Sequence, residues 1–188
     1  MPVENEIKIR CTGSVEQARA WIESRGYQVI QPRTLESDRI FDREGELRRA
    51  AQLLRLRREG ERSTVTYKGP PQMGRHKNRE EIEFDVSDDR ATAFVLERLG
   101  YRVAFRYEKY RTKFRAEGEP GIVTIDETPM GLFLELEGPP EWVDTTAGRL
   151  NHSPSEYLTQ SYAKLYEEYR QARPGLPRDM IFEGTPGA

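Results

Sequence analysis

The chain has 188 residues, of which 36% are hydrophobic and 33% are charged. This length predicts one domain with its own core, and a formal net charge of -2 argues against a general nucleic-acid or membrane-surface binder. Cys11 is the single cysteine, which excludes an internal disulfide and fits a reducing compartment. Neither an apolar signal segment nor a run approaching the roughly 20 apolar residues of a membrane span is visible. We therefore expect a cytoplasmic protein without a membrane partner.

The first predicted strand, residues 3–11, alternates apolar and charged side chains. Because successive side chains of a strand point to opposite faces, Glu4, Glu6, Lys8 and Arg10 share one face. A solvated outer face would explain one such strand. The same alternation returns in later segments, so the charged strand faces are the main functional signal of the chain.

Four segments have the spacing of helices. They are residues 14–25, 87–99, 142–150 and 154–173. Ser14 and Gln17 form a capping box at the start of the first helix, and Gly26 supplies its left-handed stop. The last helix carries an aromatic stripe, which is a candidate homodimer face.

The other ordered segments are extended and alternate in the same way as the first strand. They are residues 27–30, 37–42, 53–58, 63–69, 79–86, 103–115, 121–127 and 132–138. Residues 174–188 are rich in proline and glycine, so we expect a poorly ordered tail, apart from residues 180–182, after a single domain of residues 1–173.

An internal repeat is visible in this order of elements. Residues 14–29 resemble residues 87–103 in the spacing of their alanine, aromatic and Gly-Tyr positions, and a strand with spaced glutamates precedes each helix. The pattern predicts two β-α-β-β-β halves related by a pseudo-twofold axis. A chance similarity of the same quality is the alternative.

The charged faces suggest how such halves would be arranged. A sheet closed into a barrel turns one face inward, and the apolar faces would then pack under the helices outside. Unpaired buried charges cost several kcal/mol each, so a charged lumen must hold water, ions and a charged ligand. We predict an α+β fold: a closed antiparallel β-barrel, or tunnel, of about eight strands with a polar lumen.

Two kinds of charged group would line this lumen. Bases suit phosphate oxygens, which arginine can bind with two hydrogen bonds; these bases are Arg55, Arg57, Lys68, Lys109 and Arg111. Acids are hard oxygen ligands that suit Mg²⁺ or Mn²⁺; these acids are Glu4, Glu6, Glu81, Glu83, Asp126, Glu135 and Glu137. Acids and bases converging on one cavity predict a site for a metal ion and a triphosphate.

The order of these motifs resembles the CYTH family, the triphosphate tunnel metalloenzymes that include class IV adenylyl cyclases and thiamine triphosphatases. The family's opening Glu-x-Glu-x-Lys signature is similar to residues 4–8. Its later motifs match Leu-Arg-Leu-Arg at 54–57, Thr-Tyr-Lys-Gly-Pro at 66–70, Arg-Glu-Glu-Ile-Glu at 79–83, Lys-Tyr-Arg at 109–111, Asp126 and Glu-Leu-Glu at 135–137. One such pattern is weak, but seven in family order are specific. The resemblance covers roughly residues 2–169.

The resemblance implies a role for each charged group. It assigns the metal ion to Glu4, Glu6, Glu135 and Glu137, with Glu81, Glu83 and Asp126 contributing to one or two sites. It assigns the triphosphate to Arg55, Arg57, Lys68, Arg79, Lys109 and Arg111. Lys8 and Lys68 would act as catalytic residues near the reacting phosphate.

Phosphoryl and nucleotidyl transfer need charge neutralisation and alignment more than covalent help, so the lumen would serve either reaction. Residues 66–70 and 161–165 resemble the class IV cyclase branch, which implies conversion of ATP to cyclic AMP and pyrophosphate. Hydrolysis of thiamine triphosphate, tripolyphosphate or a nucleoside triphosphate is the alternative. A non-catalytic binder of polyphosphate or of an RNA 5′-triphosphate is the second alternative, although a pure anion binder has little use for so many carboxylates.

Overall fold

The computed structural model describes residues 5–70 and 80–184, and these ranges contain eight strands and five α-helices. The strands are β1 (Asn5–Cys11), β2 (Gln28–Asp42), β3 (Leu53–Glu59), β4 (Arg62–Lys68), β5 (Glu81–Val86), β6 (Arg102–Arg115), β7 (Ile122–Thr128) and β8 (Gly131–Gly138). The helices are α1 (Val15–Glu23), α2 (Glu46–Arg49), α3 (Asp89–Arg98), α4 (Pro140–Arg149) and α5 (Tyr162–Gln171). None of these helices has the length and apolar character needed to cross a membrane.

The fold is of the α+β class. Its strands form a sheet in the order β1-β8-β7-β6-β2-β3-β4-β5, and the strands of each hairpin pair antiparallel. Closure of this sheet into a barrel stays a prediction, because β1 and β5, which end the order, fall in separate compact units of the chain. One edge of β1 pairs with a segment outside the named strands. The N–H of Lys8 donates to the carbonyl oxygen of Leu158 at 2.8 Å, and the N–H of Leu158 donates back to Lys8 at 2.8 Å. Both backbone groups that a neighbouring strand would need at this point are therefore occupied.

The chain divides into two compact units, residues 1–34 with 109–176 and residues 35–108 with 177–188. The order of elements repeats a strand, a helix and three strands, with α2 inserted in the first copy. Met180 is fully buried in the second unit, where its N–H donates to the carbonyl oxygen of Arg106 at 3.0 Å. The segment around Met180, which the sequence sets apart from the poorly ordered tail, is thus fixed to β6.

The first unit packs the apolar faces of β1, β7 and β8 against α1 and α4. Ile9, Ile125 and Leu136 are buried there with Ile22 of α1. The predicted capping box is confirmed: Ser14 Oγ accepts the N–H of Gln17 at 3.3 Å, and Gln17 Oε1 accepts the N–H of Ser14 at 2.9 Å. Alternation along the strands therefore leaves the opposite face of this part of the sheet to the charged side chains.

The second unit is built in the same way around α3. Phe41, Leu56 and Val65 form its core with Ala93 of α3. Asp88 caps this helix: its carboxylate accepts the N–H of Ala91 at 2.8 Å. The charged side chains of β3 and β4 again lie on the other face.

Candidate functional site

A buried charged network lies on the strand faces of the first unit. We call it the Asp126 network: Lys8 of β1, Lys109 and Arg111 of β6, Asp126 of β7 and Glu135 of β8, all of which are buried. Strand register brings them together, since Arg111 lies opposite Asp126 and Lys8 opposite Glu135. Five predicted site residues from four strands are thus neighbours.

Asp126 is the centre of this network and is fully buried. Its carboxylate accepts from Arg111 Nε and Nη2 at 2.6 Å each and from Lys109 Nζ at 3.0 Å. Burial alone would raise the pKa of Asp126, but the charges of Arg111 and Lys109 outweigh burial and hold this pKa well below its usual range. Asp126 therefore stays a carboxylate that fixes two cations.

Lys8 and Glu135 extend the network toward β1. Arg111 Nη2 donates to Glu135 Oε2 at 2.8 Å, and Lys8 Nζ lies 3.9 Å from the same oxygen and also contacts the carboxylate of Glu6. Burial lowers the pKa of Lys8, and the Glu135 carboxylate partly offsets that effect. A lysine with a lowered pKa in a buried charged site is a common feature of functional sites.

Tyr162, at the start of α5, also belongs to the Asp126 network. Its hydroxyl donates to Asp126 Oδ2 at 2.7 Å, and the Nζ atoms of Lys8 and Lys109 lie 5.3 and 5.1 Å from the centre of its ring. Burial, with Asp126 beside it, raises the pKa of the Tyr162 hydroxyl. The helical spacing predicted an aromatic helix face here and did not indicate the hydrogen bond from Tyr162 to Asp126. Leu165 and Tyr166 on the same helix are buried core residues.

The second unit carries a separate network, which we call the arginine network: Glu36 and Asp38 of β2, Arg55 and Arg57 of β3, and Thr66 of β4. Both carboxylates are fully buried. Arg57 donates from Nε to Asp38 at 2.9 Å, and its Nη1 lies 3.1 Å from Glu36. The predicted site residues do not include Glu36 and Asp38, although acids two residues apart on a strand share one face and would indicate a further charged face.

Thr66 connects the arginine network to β5. Arg55 Nη2 donates to the Thr66 hydroxyl at 3.0 Å, and that hydroxyl donates to Glu83 at 2.8 Å. One row further along these strands, Lys68 Nζ donates to Glu81 at 2.8 Å. The predicted bases of β3 and β4 and the predicted acids of β5 are therefore neighbours in the second unit.

The acids predicted to bind metal are of two kinds. Asp126 and Glu135 accept from Arg111, so protein cations already balance them. Glu6 and Glu137 lie opposite each other on β1 and β8, and like charges in that position repel unless a cation balances them, as Lys8 does in part. These two carboxylates fit a hard divalent cation.

Among the side chains in residues 5–70 and 80–184, no three from His, Cys, Asp and Glu are grouped closely enough to hold a metal ion, so metal binding stays a prediction. Glu4 and Arg79, which the sequence analysis assigned to metal and triphosphate, lie outside the described residues.

The fold and the two networks define an α+β protein built on charged, buried strand faces. Residues 3–150 match the family model described as the CYTH domain. A Methanocaldococcus jannaschii protein, provisionally named an adenylate cyclase, is 30% identical over 138 residues, which are 72% of this chain and 76% of that protein. The chain belongs to the CYTH domain family.

Solved structures share the fold. A Vibrio parahaemolyticus protein provisionally named an adenylate cyclase has a TM-score of 0.74 at 20% identity, over 88% of this chain and 98% of its own. A Pyrococcus horikoshii protein has a TM-score of 0.71 at 24% identity, over 89% and 99%. A Hippeastrum protein, provisionally named an adenylyl cyclase and described as having a dominant triphosphatase activity, has a TM-score of 0.62 at 15% identity, over 88% and 95%.

Proposed function

We propose that this protein processes a triphosphate with the help of Mg²⁺ or Mn²⁺. The observation that carries the proposal is the Asp126 network, in which motif residues far apart in the chain meet on neighbouring strands. Such an array serves phosphoryl transfer, where positioning and charge stabilisation supply most of the catalysis. Membership of the CYTH family supports an enzyme of this class over a passive anion binder.

The networks suggest how the chain would hold the substrate. Asp126 fixes the side chains of Lys109 and Arg111, which can then face phosphoryl oxygens without losing entropy on binding. In the arginine network, Arg55 Nε is buried and makes no hydrogen bond among the described residues, although it lies 3.5 Å from Asp38 Oδ1, so a small shift of the guanidinium would let it donate to a phosphate oxygen. Lys8, beside Glu135 in the first unit, would lie near the reacting phosphate.

The metal ion would be held by Glu6 and Glu137, with Glu4 and Glu135 of the same unit as further candidates. It would neutralise phosphate charge and polarise the phosphoryl group. The opposed carboxylates of Glu6 and Glu137 support this assignment.

We propose formation of cyclic AMP and pyrophosphate from ATP as the reaction, because the M. jannaschii relative bears the name of an adenylate cyclase. Hydrolysis of a triphosphate is the second candidate, favoured by the activity described for the Hippeastrum protein. The substrate of a hydrolytic reaction would be thiamine triphosphate, tripolyphosphate or a nucleoside triphosphate.

The purified chain should be incubated with ATP, thiamine triphosphate and tripolyphosphate, each with Mg²⁺ or Mn²⁺, and the products separated. Cyclic AMP with pyrophosphate would identify the cyclase, and inorganic phosphate the hydrolase. We expect Arg55→Met to lower turnover at least tenfold, about 1.4 kcal/mol. Arg62→Met is the control, since Arg62 is an exposed arginine on β4 whose Nε pairs with Asp85 at 2.8 Å.

Binding of a triphosphate without turnover would favour the non-catalytic alternative. Absence of turnover for every substrate with either metal would contradict the proposed function. Equal turnover by Arg55→Met and Arg62→Met would instead show that the arginine network does not contact the substrate.

A further inference from the structure

The hydroxyl of Thr124 stands out among the buried polar groups of the first unit. The residue is 2% exposed, and its Oγ1 is buried without a hydrogen-bond partner among the described residues. Buried polar side chains in native proteins nearly always have a partner, because losing hydration without replacement is costly. A valine would fill the same position on a strand without that cost. The hydroxyl therefore calls for a functional explanation.

Strand register places Thr124 next to the Asp126 network. It lies opposite Glu135 of β8 on one side and opposite Lys113 of β6 on the other, and Glu135 in turn lies opposite Lys8. These four residues form a row across four adjacent strands, which we call the Thr124 row. Directly opposed residues in a sheet have Cβ atoms about 4.5–5.5 Å apart. Thr124 also shares its strand face with Asp126, two residues away.

The chemistry of the row suits an anion with a polar anchor. Lys8 and Lys113 supply positive charge at its two ends, Arg111 and Lys8 balance the Glu135 carboxylate between them, and a threonine hydroxyl can donate one hydrogen bond. Lys113 is only half-buried, and its flexible four-carbon stem allows its ammonium group to reach a ligand bound at this row. No motif of the sequence analysis included Thr124 or Lys113 among the site residues.

We propose that Thr124 is a ligand-binding residue whose hydroxyl donates to a phosphoryl oxygen of the bound triphosphate, with Lys113 beside it as a second contact. This inference rests on the proposed function and extends the substrate site by one row of the sheet beyond Asp126. It also explains why a strand position with a buried side chain retains a hydroxyl.

The test is calorimetric titration of tripolyphosphate at fixed Mg²⁺ into the full chain and three variants. Thr124→Val keeps the shape and removes the hydroxyl, and Thr124→Ser keeps the hydroxyl. Thr112→Val is the matched control, because Thr112 is also a buried strand threonine but lies opposite Ile125 on the other face. We expect Thr124→Val to weaken binding roughly threefold to tenfold, and the other two variants to bind like the wild type.

Thermal unfolding without ligand separates a binding role from a structural one. We expect Thr124→Val to unfold at the wild-type temperature or above it, since the substitution removes an unsatisfied buried group. A clearly lower unfolding temperature would assign the hydroxyl to the fold and overturn the inference. Equal tripolyphosphate affinity of the wild type and Thr124→Val would overturn it as well. A wild type that binds neither tripolyphosphate nor ATP, titrated in the same way, would instead overturn the proposed function, and this inference with it.

Discussion

At the scale of single residues, hydrogen bonds and ion pairs to the Asp126 carboxylate explain how a strand face can be both charged and buried. Asp126 accepts from Lys109, Arg111 and Tyr162, and each of these donors is itself buried. Burying a charge costs several kcal/mol unless it is paired and hydrogen-bonded. Tyr162 matters here because it satisfies the carboxylate without adding a charge.

Tyr162→Phe tests this role. The substitution keeps the ring between Lys8 and Lys109 and removes one hydrogen bond to the Asp126 carboxylate. A hydrogen bond to a charged group contributes about 1.5–3 kcal/mol, so we expect the free energy of unfolding to fall by that amount in urea denaturation.

Tyr169→Phe is the matched control on the same helix, because Tyr169 is only half-buried and stacks on Tyr166. We expect it to change the free energy of unfolding by less than about 0.5 kcal/mol. If both tyrosine variants were equally stable, the hydroxyl of Tyr162 would not support Asp126.

At the scale of elements, α4 is attached to the strands through a tryptophan that lies on two glycines. A Cβ atom on Gly121 would clash with the ring of Trp142, and one on Gly138 would lie 2.8 Å from Trp142 Cε3. The indole Nε1 of Trp142 also donates to Glu119, which pairs with Arg149 at 2.7 Å. The glycines are therefore required by the close approach of the helix.

We expect Gly121→Ala to lower the free energy of unfolding by about 1–3 kcal/mol, because the added methyl group overpacks the contact with Trp142. Gly148→Ala, within α4 itself, is the control: nothing lies within 4 Å of its added Cβ, and alanine favours the helix by up to about 1 kcal/mol. Chemical denaturation measures both. Equal stability of the two variants would show that α4 can move away from the strands without cost.

The periodicity of the sequence predicted most elements because local signals set them. Alternation identified β1, β3, β4 and β8, and capping chemistry identified α1. The extended segments predicted at residues 27–30 and 37–42 are one strand, because β2 continues through Pro32. The last predicted helix is also divided, since a short 3-10 turn at Pro154–Glu156 precedes α5, which Ser161 caps.

The site was predictable to the extent that it follows strand alternation. Motif spacing found Lys8, Lys109, Arg111, Asp126 and Glu135, which the structure brings together. It missed Tyr162, whose partner Asp126 is 36 residues away. It also missed Glu36, because a pairing with Arg57 across two strands depends on register. Long-range contacts of this kind cannot be derived from spacing along a single segment.

At the scale of the whole molecule, each unit holds its own buried network, although the formal net charge of the chain is only -2. The balance of 30 bases and 32 acids leaves no large charge to attract anions generally. The proposed selectivity for a triphosphate would therefore come from fixed local donors. This distinguishes a specific triphosphate site from a surface that responds to any multivalent anion.

That distinction leads to a prediction about the stability of the full chain. A ligand that binds only the folded state stabilises it by about 2.7 kcal/mol at a hundredfold excess over its dissociation constant. We expect tripolyphosphate to raise the thermal unfolding temperature progressively with concentration, and sulfate at equal ionic strength to raise it much less, since one sulfate is too short to span donors placed along three linked phosphates. Differential scanning fluorimetry at fixed Mg²⁺ measures both series. The same rise with both anions would identify a general ionic effect and contradict a preorganised triphosphate site.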